Sequence, residues 1–265
     1  MHKANLITLT LGALICVTGC GGTSLKGGTL SGATMIGVSL ERANLKRVEA
    51  RELDLTNANL SRANLTRSDL TNTILSGADV SRANFSHAIM HGVQLNDSED
   101  QATNLERTNM RNATLDGANF SGLNLTSVNL QNAEMSGINL SGATLREAQL
   151  KDADMGGANL SDATLTDATL DGADCSGADF SRANLEGASL RSTRLAGANL
   201  ESTIFTRADL RDVNFSGATI TGTNFSSANL EGALFAGASF EDVTWSNTTC
   251  PNGSNSDAND GTCEP

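Results

Sequence analysis

The feature that most constrains this chain is a five-residue hydrophobic beat running from Thr29 to Trp245. Positions divisible by five read Leu30, Met35, Leu40 and Leu45, then Leu55 to Leu75 without a break, and so on to Phe235, Phe240 and Trp245. Asp100 is the plainly polar exception. Two places before each of these sits a small or β-branched residue: Ala33, Val38, Ala43, Val48, Ala58, Ala63, and every such position from Ala143 to Ala188. The repeated phrase is Ser-Gly-Ala-Asn-Leu or close to it.

A period of five fits neither regular structure. Five helical residues rotate by about 500°, so successive leucines would spiral around a helix without forming a stripe. A strand alternates with period two, and an odd repeat would throw successive leucines onto opposite faces. A short extended piece followed by a bend does satisfy the pattern, because residues two apart share a face and the bend restores the inward direction. Glycine marks the bend at Gly32, Gly77, Gly117, Gly142, Gly177 and Gly217, with Arg, Asn and Asp filling many of the equivalent slots.

On these residues the chain resembles the pentapeptide-repeat family, whose pattern is Ala-Asp/Asn-Leu-x-x with the Leu and the preceding Ala pointing inward. The resemblance implies an all-β fold, a right-handed quadrilateral parallel β-helix with four pentapeptides per coil. The span 26–245 holds 44 pentapeptides, hence eleven coils, and a rod about 50 Å long at the usual strand spacing. With 38% hydrophobic and 3% aromatic residues the chain would be poor material for a globule. Narrow coils stacked on their own kind need only thin layers of Ala and Leu.

Residues 1–19 differ in kind and read as a cleaved lipoprotein signal peptide. Met1-His2-Lys3 is a short positive start, and Leu6 to Val17 is an apolar run too short for an ordinary membrane span. Val17-Thr18-Gly19-Cys20 resembles the bacterial lipobox, which implies cleavage before Cys20 and diacylglycerol on its thiol. The alternative is a plain secretory signal with an incidental cysteine. Gly21, by resemblance to Gram-negative lipoproteins, favours the outer membrane. Residues 20–25 would then be a short tether holding the rod's amino end at the membrane.

A twenty-residue coil stacks Arg42, Arg62 and Arg82 in one outward column and Arg47, Arg67 and His87 in the neighbouring one. These columns are either a solvated face or a basic patch that meets anionic lipid, lipopolysaccharide phosphate or cell-wall polymer. Charge changes sign along the chain: residues 20–90 carry eight Lys and Arg against six Asp and Glu, whereas 91–265 carry nine against 24. A basic proximal end and an acidic distal end suit a protein standing off an anionic surface.

The beat breaks at Asn96-Asp97-Ser98-Glu99-Asp100-Gln101. Burying Asp100 in a core slot without a partner would cost several kcal/mol, so about five residues should bulge out near 96–101. The bulge keeps the five-residue register and shifts the twenty-residue phase, placing Arg107 in the Arg42 column. Asp97, Glu99 and Asp100 are candidate contacts there, or the loop is an inert insertion. Near the carboxyl end, Phe205, Phe225 and Trp245 fall on one wall and Phe215 and Phe235 on another, plugging the distal core. Residues 246–265 form a polar tail that resembles one seen after pentapeptide repeats in exported bacterial proteins. Outside the cytoplasm Cys250 and Cys263 are most simply a disulfide that closes it as a cover. Cys175, in a leucine slot, is a small buried hydrophobe.

Catalysis is not expected. After signal cleavage only His87 and His91 remain, on different faces, and the mature chain lacks HExxH, GxSxG, CxxC and P-loop motifs. The Asp-Asn-Gly content of the tail does not match a calcium loop, so neither a metal nor another cofactor is expected. The first functional reading is a membrane-anchored, non-enzymatic rod that engages envelope polymers or a protein. The second, by resemblance to gyrase-protecting pentapeptide proteins, is an acidic DNA mimic. Gyrase is cytoplasmic and residues 1–20 direct this chain outward, so the first is preferred and nucleic acid is not expected as a partner.

Overall fold

A computed structural model describes residues 24–95 and 103–263. The chain winds as a right-handed quadrilateral β-helix in which each wall contributes one bridging residue per coil. Asn44, for example, pairs in parallel with Ser24 in the coil before it and with Asn64 in the coil after it. Ser24 and Leu25 already belong to the first coil, because the Leu25 N–H donates to the Asn44 carbonyl at 2.9 Å. At the far end the pattern continues through Thr249, which pairs with Asn229.

Following the five backbone N–H groups of one repeat explains why the sequence has this form. Leu60 and Arg62 donate upward, to Asp79 O at 2.7 Å and Ser81 O at 2.9 Å. Asn59 donates downward to Val38 O at 2.9 Å, and Ala63 donates to Leu60 O at 2.9 Å to close the bend. The remaining N–H, that of Ser61, is taken by the side chain of Asn59, whose Oδ1 accepts at 3.0 Å. Asn or Asp before the leucine is therefore part of the backbone's hydrogen-bond accounting, an Asx turn repeated at every bend that carries it. The second residue of each bend has positive φ, 60° at Arg62 and 68° at the equivalent Gly77, as a turn of type II requires at its third position.

Inside, the leucine and alanine slots form one continuous core, with Leu60, Leu70, Ala83 and Phe85 wholly buried. Cys175 lies in the same core, and burial pushes its thiol pKa upward. The distal aromatics follow the expected walls. Phe205, Phe225 and Trp245 stack face to face at 5.3 and 4.9 Å, Phe215 stacks on Phe235 at 4.9 Å, and Phe205 meets Phe215 edge-on at 6.4 Å across the narrow core.

The register slips once. Bridges on either side join residues twenty apart, but Asp79 pairs with Asn104, Asn84 with Asn109 and Ile89 with Thr114. Five extra residues thus enter between Leu95 and Thr103, and the span 26–245 completes slightly fewer than the eleven coils expected. Asp97, Glu99 and Asp100 lie outside the described residues, as do Cys20 and the rest of 1–23. Among the described residues no helix is long and apolar enough to cross a membrane.

The tail covers only part of the last coil. Cys250 and Cys263 are bridged, with Cα atoms 5.1 Å apart. The Thr248 N–H donates to Ser256 Oγ at 3.0 Å, that of Asn247 to Asp257 Oδ1 at 2.9 Å, and that of Cys250 to Ser254 O at 2.7 Å. These contacts occupy the edge beside Trp245. Ala238, Phe240 and Val243, on the adjoining part of the coil, stay partly exposed. The expected cover is real but one-sided, because a loop of thirteen residues closed on Cys250 reaches only the wall it starts from.

Candidate binding face

The proximal arginines sit at the bend positions, where the backbone directs the side chain away from the core. Arg42, Arg62 and Arg82 have φ of 57°, 60° and 57°, and Arg47 and Arg67 have φ of 59° and 57°. All are exposed. Backbone bonds fix their stacking: the Arg42 N–H reaches Ser61 O at 2.9 Å and the Arg62 N–H reaches Ser81 O at 2.9 Å. The Arg82 N–H donates to Glu106 O at 3.0 Å, so the five-residue slip delivers Arg107 to the same column. His87 continues the Arg47 column, since Arg67 N donates to Ser86 O at 3.0 Å.

Between the two columns runs a third that sequence reasoning did not single out. Asn44, Asn64, Asn84, Asn109 and Asn129 form successive rungs of one wall, joined by parallel bridges. Their Oδ1 atoms turn inward to the bend. Asn64 Oδ1 accepts from the Thr66 N–H at 3.1 Å and from its hydroxyl at 2.6 Å, Asn84 Oδ1 accepts from the Ser86 N–H at 3.0 Å, and Asn44 Oδ1 from the Lys46 N–H at 3.3 Å. The only sequence signal was the repeated Asn itself, which also reads as a solvent-facing polar residue.

Electrostatics separate this face from the rest of the rod. Among the described residues Arg47, Arg62, Arg67, Arg82 and the adjacent Lys46 and Arg111 have no carboxylate within 4.0 Å; Arg42 and Arg107 touch only their exposed neighbours Glu41 and Glu106, at 3.5 and 3.6 Å. The distal arginines are engaged across coils: Arg182 with Asp162 at 2.7 Å, Arg191 with Asp209 at 2.6 Å, Arg194 with Asp174 at 3.2 Å, and Arg207 with Glu186. Hydrogen bonding from Arg182 holds the Asp162 carboxyl below its usual range, and Arg211 with Arg191 lowers Asp209 to about 2. Most distal arginines are thus paired within the rod, whereas those of the two proximal columns face outward; off the columns, the proximal Arg51 pairs with Asp69 at 2.7 Å, and among the described residues the distal Arg146 and Lys151 have no carboxylate within 4.0 Å.

Among the described residues no cluster of His, Cys, Asp and Glu has the arrangement to hold a metal ion. His87 lies in the Arg47 column and His91 at another corner, so the two histidines share no site.

The repeat geometry agrees with comparisons to known proteins. Pentapeptide repeats match in eight copies, over residues 23–62, 63–98, 101–132, 124–162, 158–195 and 193–232. Among solved structures, HetL from the cyanobacterium Nostoc sp. strain PCC 7120, a pentapeptide repeat protein involved in heterocyst differentiation regulation, is 30% identical. That match covers 89% of this chain and 94% of HetL, with a TM-score of 0.70. A pentapeptide repeat protein of the Arabidopsis thaliana thylakoid lumen is 33% identical over 39% of this chain and 68% of its own, with a TM-score of 0.31. QnrB1, a plasmid-mediated fluoroquinolone resistance protein, is 22% identical over 79% of this chain and 89% of its own, also at 0.31. No curated protein matches by sequence. With its bends, buried Ala-Leu slots and parallel rungs matched by family and by structure alike, the chain belongs to the pentapeptide-repeat family.

Proposed function

We propose that this protein is a non-enzymatic binding rod of the cell envelope, anchored by lipid on Cys20, with the outer membrane as its site in a Gram-negative cell. Its proximal coils engage an anionic partner through Arg42, Arg47, Arg62, Arg67 and Arg82. The observation that carries this reading is the contrast in pairing: Arg182, Arg191, Arg194 and Arg207 are neutralised by carboxylates of neighbouring coils, and these five are exposed with no cross-coil carboxylate among the described residues. Stacked at about 4.8 Å, like charges repel unless a counter-charge lies over them. A polybasic group near an anionic surface gains up to about 1 kcal/mol per side chain, falling off within a Debye length.

Replacing the five arginines by Gln tests the binding role. Folding and melting should be unchanged, because the side chains leave the core. Binding to phosphatidylglycerol vesicles should weaken, most at low salt, and equal binding by both proteins across a salt series would refute the role. The anchor is tested separately by intact-mass analysis of the membrane fraction, which should show an amino-terminal Cys20 carrying diacylglycerol. A soluble protein with an unmodified amino terminus would refute that part.

A further inference from the structure

The asparagine ladder between the arginine columns has chemistry that the fold alone does not require. At the same slot on other walls Asp does the turn-capping job equally well: Asp54 Oδ1 accepts from the Thr56 N–H at 2.9 Å and Asp79 Oδ1 from the Ser81 N–H at 3.0 Å. Yet on this wall five consecutive rungs are Asn, from Asn44 to Asn129. The consequence is polarity. With Oδ1 turned to the bend, the amide NH2 groups of Asn44, Asn64 and Asn84 have no acceptor among the described residues. The face between Arg42 and Arg47 and its repeats therefore offers hydrogen-bond donors from both edges and from the centre, with its central acceptors already used. A second asparagine ladder, Asn119, Asn139 and Asn159, lies on another wall. There the bend columns on one side are Gly117, Gly137 and Gly157 and on the other Gly122, Gly142 and Asp162, so no basic edge accompanies it.

A surface of donors in three parallel rows takes a ligand of acceptors in a line. We propose that this face binds one strand of a linear acidic polysaccharide laid along the rod axis, its carboxylates on the arginine columns and its hydroxyl and ring oxygens on the asparagine amides. Each coil advances the face by about 4.8 Å, close to the advance of one pyranose in an extended chain. Four arginine rungs at 42, 62, 82 and 107 set the length recognised. Nucleic acid fits less well, because strand-binding proteins stack bases on exposed aromatics and the aromatic nearest this face, Phe85, is wholly buried. A lipid surface would use the arginines without need of the central ladder. The inference deepens the anionic-partner reading above and rests on it.

The test uses the full chain, solubilised in detergent, with polygalacturonate as the probe and inorganic polyphosphate and phosphatidylglycerol vesicles as comparison arms. The triple variant Asn44→Ile, Asn64→Ile, Asn84→Ile removes the donors and keeps the charge. Isoleucine already occupies this slot at Ile74 and Ile89. Polygalacturonate binding should fall by roughly tenfold or more, as loss of several hydrogen bonds to charged or polar oxygens implies, with vesicle and polyphosphate binding unchanged. If the triple variant binds polygalacturonate like the parent while the five-arginine variant does not, the polysaccharide inference is wrong and the anionic-partner reading stands. If neither variant loses any binding, both are wrong. Failure of the parent chain to bind polygalacturonate also overturns the inference. Should the triple variant not fold, galacturonate oligomers of increasing length decide with the parent chain: affinity should rise until the oligomer spans the four rungs, and a flat dependence overturns the proposal.

Discussion

Asn109 donates its side-chain amide to Asn84 Oδ1 at 3.3 Å, although the two are separated by twenty-five residues and not by the twenty of a regular coil. The ladder runs through the register slip without a fault. The five extra residues are therefore absorbed at a single corner, between Leu95 and Thr103. That corner is anchored by the Thr103 hydroxyl, which donates to Leu95 O at 2.6 Å and lies 2.9 Å from Leu75 O.

It follows that the inserted residues can be removed without disturbing the columns. Replacing 96–102 by Ser-Gly, the pair Ser76-Gly77 at the same corner one coil earlier, restores a twenty-residue coil. The melting temperature should be unchanged or raised by a few degrees, since a shorter loop costs less entropy to close, and vesicle binding through the arginines should persist. A large drop in melting temperature would mean that the loop supports the stack.

The capping role of Asn is measurable away from the candidate face. Asn159 Oδ1 accepts from the Ser161 N–H at 3.0 Å and from its hydroxyl at 2.7 Å. Asn159→Ala strands that N–H and should cost about 1 kcal/mol. Asn159→Asp keeps the acceptor and should be close to neutral. Denaturant unfolding of both variants checks the pair, and equal costs would show that the Asx turn is not the source of stability.

The division between what was legible and what was not follows from periodicity. Leu60, Ala63 and Arg62 repeat at fixed offsets, so core, bend and columns could be read from spacing alone, and the break at Asp100 announced itself as a polar residue in an apolar slot. The inward turn of Asn64 Oδ1 could not be read, because spacing places a side chain on a wall without saying where its acceptor points. The pairing of Arg191 with Asp209, eighteen residues away, depends on rotamers of long side chains that reach diagonally between coils. The tail has no repeat, so its contact with Trp245 and its failure to cover Phe240 lay beyond any pattern.

Asp209 makes acid stability informative. Hydrogen bonds from Arg211 at 2.7 and 2.9 Å and from Arg191 at 2.6 Å lower its pKa to about 2. A carboxyl depressed in the folded state contributes stability above its unfolded pKa, near 4, and loses it as pH falls towards 2. With part of the group in solvent, the contribution is about 1 kcal/mol. Asp209→Asn should therefore lower stability by that order at pH 7, and the difference from the parent should vanish near pH 2. A pH-independent difference would place the effect in packing instead.

The disulfide makes the distal end the last prediction. Cys250 and Cys263 lie thirteen residues apart, and closing a loop of that length contributes about 3 kcal/mol in the chain-entropy model, with engineered bridges giving less. The bridge holds Ser254, Ser256 and Asp257 against the edge formed by Asn247, Thr248 and Cys250, whose N–H groups no further coil receives. In a stacked solenoid each coil contacts only its neighbours, so loss of the cover should act locally and fade with distance. Reduction, or Cys250→Ser with Cys263→Ser, should raise amide exchange at Asn247, Thr248 and Leu230 first. Exchange at Leu60 and Leu65, in the proximal coils, should not change. If exchange rises uniformly along the rod, the stack unfolds as one cooperative body and the tail stabilises the whole of it.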